Sequence, residues 1–272
     1  MTNDRRKPII FRLKKFVMKL DNSQKVGITE AGEISFALDT FDRLYDANII
    51  ITKRLTSGLI EKLVEHRDKC ILHLTVTGFA GSKIEPFTPL ITTTLKNTKE
   101  LIEKGFPASH IVLRIDPIIP TTKGFGTAIT VLATFSDLGI TRVRLSFLDM
   151  YKHVQSRFKK EDLDIPDIYK NDDGTVNFHV SLEERKEKLK QIEDFAKGIG
   201  FTSVEVCGEP GIESVSCVSQ KDIDILGLTD KITLIGNKGQ RGSCSCPANK
   251  SELLKVGRPH RCENACLYCF WR

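Results

Sequence analysis

The chain lacks any run of 18 or more apolar residues, so no membrane-spanning helix is expected. Its first twenty positions hold no unbroken apolar core, because Arg12, Lys14, Lys15 and Lys19 interrupt it. That pattern does not fit a secretory signal. The glycine loops that cradle nucleotide phosphates are missing too, and Gly124-Phe125-Gly126 is too short to stand in for one. No internal repeat is visible, and tryptophan occurs only at Trp271. Charge of one sign is not in large excess: 41 Lys and Arg face 35 Asp and Glu, a net of +6. Such a balance permits an anionic partner without demanding one. These absences leave a soluble, cytoplasmic protein as the expectation. At 272 residues and 40% hydrophobic content, one large domain fits.

What is present falls into a strand–helix rhythm. Asn48–Thr52, Cys70–Thr77, His110–Ile115, Arg142–Phe147 and Ser203–Cys207 read as strands. The continuous β-branched run at 48–52 suits a strand buried on both faces. Between them, Leu59–His66, Leu90–Lys104, Thr127–Leu138 and a segment opened by Ser181 have helical spacing. A sixth strand falls within Val26–Ile34, weakened by Gly27 and Gly32. Strands this far apart fit βαβ crossovers better than hairpins. The expected fold is α/β, a full or partial parallel βα barrel, with an open doubly wound sheet as the alternative. The expected organisation is a basic segment with a first strand at 1–45, a core at 46–232 and a cysteine-rich tail at 233–272. Residues 151–178 read as an insertion or lid at one end of the core. The basic start (Arg5, Arg6, Lys7, Arg12, Lys14, Lys15, Lys19) reads as a solvated face, or as an arm that meets phosphates.

In a βα barrel the strand ends carry the chemistry. The polar residues expected there are Lys53, Thr77, Arg114, Asp116, Asp149 and Glu209. Arg114 and Asp116 alternate along one strand, so both can face the barrel mouth. His73 and Arg144 lie mid-strand, and His73 reads as a core residue.

The cysteines carry the sharper signal. Of eight, all but Cys70 stand from Cys207 onward: Cys207, Cys217, Cys244, Cys246, Cys262, Cys266 and Cys269. In a reducing compartment this points to metal or redox use, not to disulfides. Cys262, Cys266 and Cys269 are separated by three residues and then two. Three thiolates on a four-iron cluster leave one iron open to a substrate or cofactor, unlike a closed structural zinc site. Cys70, at a strand start, reads as a small buried hydrophobe.

This triad, with Tyr268 before its third cysteine, resembles the cluster-binding loop of radical S-adenosylmethionine (radical SAM) enzymes. The resemblance implies a 4Fe-4S cluster on Cys262, Cys266 and Cys269. S-adenosylmethionine would bind the open iron and be split to a 5′-deoxyadenosyl radical. Most of that family carries the triad after the first strand, whereas here it follows the last. The chain therefore resembles a permuted group distantly related to spore photoproduct lyase and DNA repair photolyase-like proteins. Ile84-Glu85-Pro86, Arg114–Ile118, Leu145–Lys152, Cys207-Gly208-Glu209 and Gln240–Cys246 carry that likeness. The resemblance implies that Tyr268 lies by the adenine. It also implies that Lys53, Arg114, Asp116, Ser146 and Glu209 contact S-adenosylmethionine or substrate at the barrel mouth.

An electron donor of the flavodoxin or ferredoxin kind would follow. The substrate is open, with nucleic acid as one candidate. Cys207, Cys217, Cys244 and Cys246 have the number that closes an auxiliary four-iron cluster; a structural zinc or free thiols are the alternatives. A different class of function also stands: a zinc-stabilised nucleic-acid-binding protein without catalysis. The tail lacks the interleaved basic and aromatic residues such a surface uses. A catalytic triad loop further predicts that Phe270 and Trp271 pack against the barrel.

Overall fold

The computed structural model describes residues 22–237, 244–254 and 262–270. The basic residues expected to form a solvated start, Trp271 and residues 240–243 lie outside them. The β-branched run at 48–52 becomes β2 (Ala47–Thr52), inside a parallel sheet of seven strands. The others are β1 (Val26–Ile28), β3 (Cys70–Thr75), β4 (Ile111–Ile118), β5 (Arg142–Phe147), β6 (Ser203–Val206) and β7 (Lys250–Glu252). Their order is β6-β5-β4-β3-β2-β1-β7, and every ladder is parallel. Among the described residues β6 and β7 form the two edges, so the sheet is a partial parallel βα barrel.

Alternation along each strand sorts residues into two layers. Ile50, Leu72, Leu74, Leu113, Ile115, Val143 and Leu145 pack against the helices in the larger core. Ile28, Ile49, Ile71 and Val112 face the other way, against Cys207, Cys217, Val218, Ile223 and Cys246. Each fully buried aliphatic side chain contributes about 1.5–3 kcal/mol of hydrophobic stabilisation, so the first layer dominates the fold.

The helices are α1 (Ser57–Glu65), α2 (Ile91–Glu103), α3 (Thr122–Phe135), α4 (Lys152–Lys160), α5 (Leu182–Gly198) and α6 (Gln220–Ile225). Hydroxyl caps start three of them: Thr56 accepts from the Leu59 amide, Thr121 from Gly124 and Ser181 from Glu184. The Thr121 cap explains why α3 begins five residues before the expected Thr127. Gly124 fits there because a Cβ would fall 1.8 Å from the Ile119 carbonyl oxygen.

Two elements left no apolar signature. β7 is Lys-Ser-Glu, and it is held by charge and backbone. Lys250 Nζ lies 2.5 Å from Glu30 Oε1, and Glu252 Oε2 accepts the amides of Glu30 and Ala31. The segment 151–178 folds as α4 and a turn around buried Tyr169, whose hydroxyl donates to the Leu148 carbonyl. It packs on Phe79, Ile119 and Leu148, at the C-terminal ends of β3, β4 and β5, and on Leu267 of the cysteine loop.

Candidate metal and cofactor site

β7 lies beside β1 at the sheet edge, and the triad follows it in the chain. Cys262, Cys266 and Cys269 then line a cavity of about 950 Å³ at the C-terminal end of the sheet. Cys266 is buried, while Cys262 and Cys269 are half-buried. Ala265 bends the loop with a positive φ of 49°.

The loop is clamped from four directions by groups other than its sulfurs. Asn264, 2% exposed, donates to Glu33 Oε2 at 3.1 Å and accepts from Arg54 Nε and Nη2 at 3.3 and 3.0 Å. Glu33 also accepts the Thr52 hydroxyl and the Lys53 amide (2.9 Å), which anchors the loop to the end of β2. Arg157, from α4, donates to the carbonyls of Leu267 and Cys269 at 3.1 and 2.6 Å. The Leu267 amide donates to the Ile84 carbonyl at 2.9 Å. Tyr268 donates its hydroxyl to Glu85, which also holds Lys53 Nζ at 2.9 Å. Lys53 Nζ stands 5.4 Å from the Tyr268 ring centroid.

Burial pushes the Cys266 thiol up to about 12, against the pull of the Lys53 ammonium. Cys262 is raised by burial as well. Burial opposes the charge of Lys53, but Glu85 and the Cys266 sulfur outweigh it and raise its pKa.

The other four cysteines also come together. Cys207 follows β6 and its Sγ lies 3.6 Å from Cys217 Sγ. The Cys217 amide donates to Cys246 Sγ at 3.3 Å, and Cys246 bonds in turn with Cys244. Thiol donation from Cys207 and Cys246 pulls Cys217 well below the usual thiol range, and the guanidiniums of Arg114 and Arg144 add to this. Cys207, Cys217 and Cys244 line the same cavity as the triad. Among the described residues no three His, Cys, Asp or Glu side chains are drawn together tightly enough to grip one metal ion.

Beneath these thiols the inner face of the sheet is charged. Arg114, Arg144 and Glu205 stand in register on β4, β5 and β6. Arg144 pairs with Glu205, with Nε at 3.1 Å, and Arg142 bridges Glu205 at 3.4 Å and Asp222 at 2.8 Å. Arg114 bonds Asp116. His73 is fully buried, and neither ring nitrogen is bonded among the described residues.

Lys53, Arg114, Asp116, Asp149 and Tyr268 all line the cavity, as their positions at strand ends or in the triad predict. Ser146 and Glu209 do not. Glu209, 2% exposed, is drawn away by Arg185 of α5 (3.0 Å) and accepts the Ser146 hydroxyl (3.2 Å) and the Phe147 amide (2.6 Å). The pair thus positions Phe147, which does line the cavity. Cys70 is buried in the outer core, where burial pushes its thiol up to about 12. Phe270 is 56% exposed, with its ring 5.4 Å from Tyr151 and 5.8 Å from His153. Sequence reasoning missed Glu33, Arg54, Arg157 and Asn264. Glu85 was visible only within the Ile84-Glu85-Pro86 segment.

The sequence family described as a domain of unknown function (DUF1848) matches residues 41–271. The chain belongs to this family. No curated protein matches it. Among solved structures, one spore photoproduct lyase mutant is similar at 13% identity with a TM-score of 0.47, covering 64% of this chain and 55% of that one. A double mutant of the same lyase, with bound AdoMet and dinucleoside spore photoproduct, is similar at 14% identity with a TM-score of 0.43, covering 61% and 52%. The chain spans about half the length of these structures. Among the described residues no helix is long and apolar enough to cross a membrane.

Proposed function

We propose that this DUF1848 member is a radical SAM enzyme whose catalytic 4Fe-4S cluster is held by Cys262, Cys266 and Cys269. The observation that carries this reading is the placement of the triad. It follows an edge strand of a parallel sheet, and its loop is fixed by backbone, Asn264 and Tyr268. The strong clamps leave the three sulfurs to face the cavity. The donor set fits a cluster: all three are thiols, and all three line one cavity. When bound, such a cluster supplies the electron that splits S-adenosylmethionine into methionine and a 5′-deoxyadenosyl radical.

The protein's own groups bind, orient and exclude water. Tyr268 presents its ring for the adenine, held at its hydroxyl by Glu85. Lys53, Arg114 and Asp116 line the space left for S-adenosylmethionine and substrate. Ser146 and Glu209 act behind them, through Phe147. A flavodoxin- or ferredoxin-like protein delivers the electron. Cys207, Cys217, Cys244 and Cys246 hold an auxiliary four-iron cluster. A specific observation favours zinc as the second reading for this quartet. The 3.6 Å between Cys207 and Cys217 is close to the roughly 3.8 Å edge of a tetrahedron with zinc–sulfur bonds of about 2.3 Å.

Metal analysis of protein purified without oxygen tests both sites. About eight irons per chain means two four-iron clusters, and about four irons with one zinc assigns the quartet to zinc. A colourless zinc protein that binds DNA in a salt-dependent way would replace the enzyme reading with a nucleic-acid-binding one. After reduction, the iron-loaded chain should release 5′-deoxyadenosine from S-adenosylmethionine, and Cys266→Ala should release none. Persistence of that product in Cys266→Ala would overturn the assignment.

A further inference from the structure

The inner face of the sheet carries guanidiniums whose hydrogen bonding is incomplete. Arg114 is 7% exposed and Arg144 is fully buried. Arg114 donates to Asp116 through Nη2, and Arg144 donates to Glu205 through Nε (3.1 Å) and Nη2. Arg114 Nε and Arg144 Nη1 are out of reach of solvent, and neither has a partner among the described residues. A buried donor left unpaired costs about 1–3 kcal/mol, and more on a charged group. Native proteins rarely leave one without a reason.

Both arginines lie on the quartet's side of the sheet. They are partners in the register of β4 and β5, and Arg144 is in turn the partner of Glu205 on β6. Two residues beyond Glu205, and on the same face by alternation, comes Cys207. Its amide continues the ladder to the Leu145 carbonyl at 3.0 Å. Cys217 packs with Cys207 in the inner layer, and Arg114 lines the main cavity together with both thiols.

The charges around the two groups of sulfurs differ. On Cys207 and Cys217 the charged side chains that act most strongly, apart from the thiols themselves, are Arg114 and Arg144. Their partners Asp116 and Glu205 act on these thiols less strongly. At the triad, carboxylates join the cations: Glu33 with Arg54 at Cys262, and Glu85 with Lys53 at Cys266.

Reduction adds one negative charge to an iron–sulfur group. Nearby positive charge and N–H donors to its sulfurs favour the reduced form, and carboxylates oppose it. We propose that Arg114 and Arg144 raise the reduction potential of the quartet's cluster above that of the triad's, so that the quartet is the electron-accepting side of the cavity. The inference rests on the auxiliary-cluster reading of those four cysteines. The orphaned N–H groups fit that reading, because a cluster adds sulfides to the thiolates as acceptors on this face.

The test is a potentiometric titration of the iron-loaded full chain without oxygen, followed by absorbance and electron paramagnetic resonance. Replacing Cys262, Cys266 and Cys269 together by Ala leaves the quartet as the iron site, so its midpoint is read whether or not the triad splits S-adenosylmethionine. The unmodified chain should show this midpoint as its first reduction step and the triad's step at lower potential. In the triad-free background Arg114→Gln should lower the midpoint by about 59 mV or more, a tenfold shift in a one-electron equilibrium. Arg114→Lys, which keeps the charge, should lower it by less than half as much. Asp116→Asn, which removes the partner's negative charge, should raise it. Loosened packing alone would not move the midpoint in opposite directions at two neighbouring side chains. An unmoved midpoint in Arg114→Gln, or a quartet midpoint below the triad's, would overturn the inference and leave the auxiliary cluster in place. Zinc instead of iron at the quartet would remove both.

Discussion

The two groups of cysteines are held in opposite ways. The quartet is knit through its own sulfurs: Cys207 meets Cys217, which meets Cys246, and the set rests on buried guanidinium–carboxylate pairs. The triad loop is knit mainly by groups other than its sulfurs; Cys266 Sγ adds a long contact to the Asn264 carbonyl at 4.0 Å. Asn264, Tyr268 and the loop backbone meet Glu33, Arg54, Glu85, Ile84 and Arg157. A site that must keep an open coordination position needs its geometry fixed from outside, because its ligands cannot fix one another. A closed four-thiolate site can organise itself around its metal.

The comparison breaks most visibly at the base of the quartet. Arg144 is fully buried against Glu205. Removing one partner of a buried pair leaves an uncompensated charge, at a cost of about 3–5 kcal/mol. Arg144→Met should therefore lower unfolding stability by about that amount in urea titrations. Some of the loss is eased by Arg142, which remains 3.4 Å from Glu205. The quartet's metal content should fall with it. A cost below about 1 kcal/mol, the range of exposed pairs, would show that the charged layer does not support the quartet.

Loosening the triad has a smaller and more local effect. Asn264→Ala removes one donor to Glu33 and the side-chain acceptor of Arg54, hydrogen bonds to charged groups whose loss costs about 1–3 kcal/mol. Cluster iron should then be lost faster to a chelator from the triad, while the quartet's metal stays. Arg157→Ala should act the same way through the carbonyls of Leu267 and Cys269. Equal loss of metal from both sites in either variant would erase the distinction between them.

The same contrast explains what the sequence could reveal. The five strands and four helices with apolar periodicity were legible, because burial of one face dictates their pattern. β7 was not, since its Lys-Ser-Glu run pairs through charges and backbone to Glu30 and Ala31. α4 has just Val154 and Phe158 buried, too few to show a stripe. The triad was legible from its own spacing. Its clamps were not, because they join residues far apart in the chain: Glu33 with Asn264, Glu85 with Tyr268, Arg157 with Cys269. Glu209 shows the converse. A strand-end position pointed it at the mouth, and Arg185 on a distant helix turned it into a buried network.

The smallest expected effect is a two-stage loss of stability in acid, which belongs to the inner face beneath the quartet. Burial, followed by the charges of Arg144 and Arg114, holds His73 well below the usual imidazole range. The unfolded chain protonates this residue near 6.5 and the folded chain does not. Its contribution is therefore intact above about pH 6.5 and declines below it, at up to about 1.4 kcal/mol per pH unit. His153, also lowered by burial, adds in the same direction. Glu205 acts in a later window. Burial raises it, but Arg144 and Arg142 outweigh this and leave its pKa below the ordinary 4.5. Its stabilisation is complete above 4.5 and fades as the pH falls through the lowered folded value. His73→Leu should flatten the stability curve between about pH 6.5 and 4.5 and leave the steeper fall below it. Glu205→Gln should do the reverse. If His73→Leu kept the full slope in the upper window, His73 would not be the source of that slope and the imidazole would already be protonated in the folded chain.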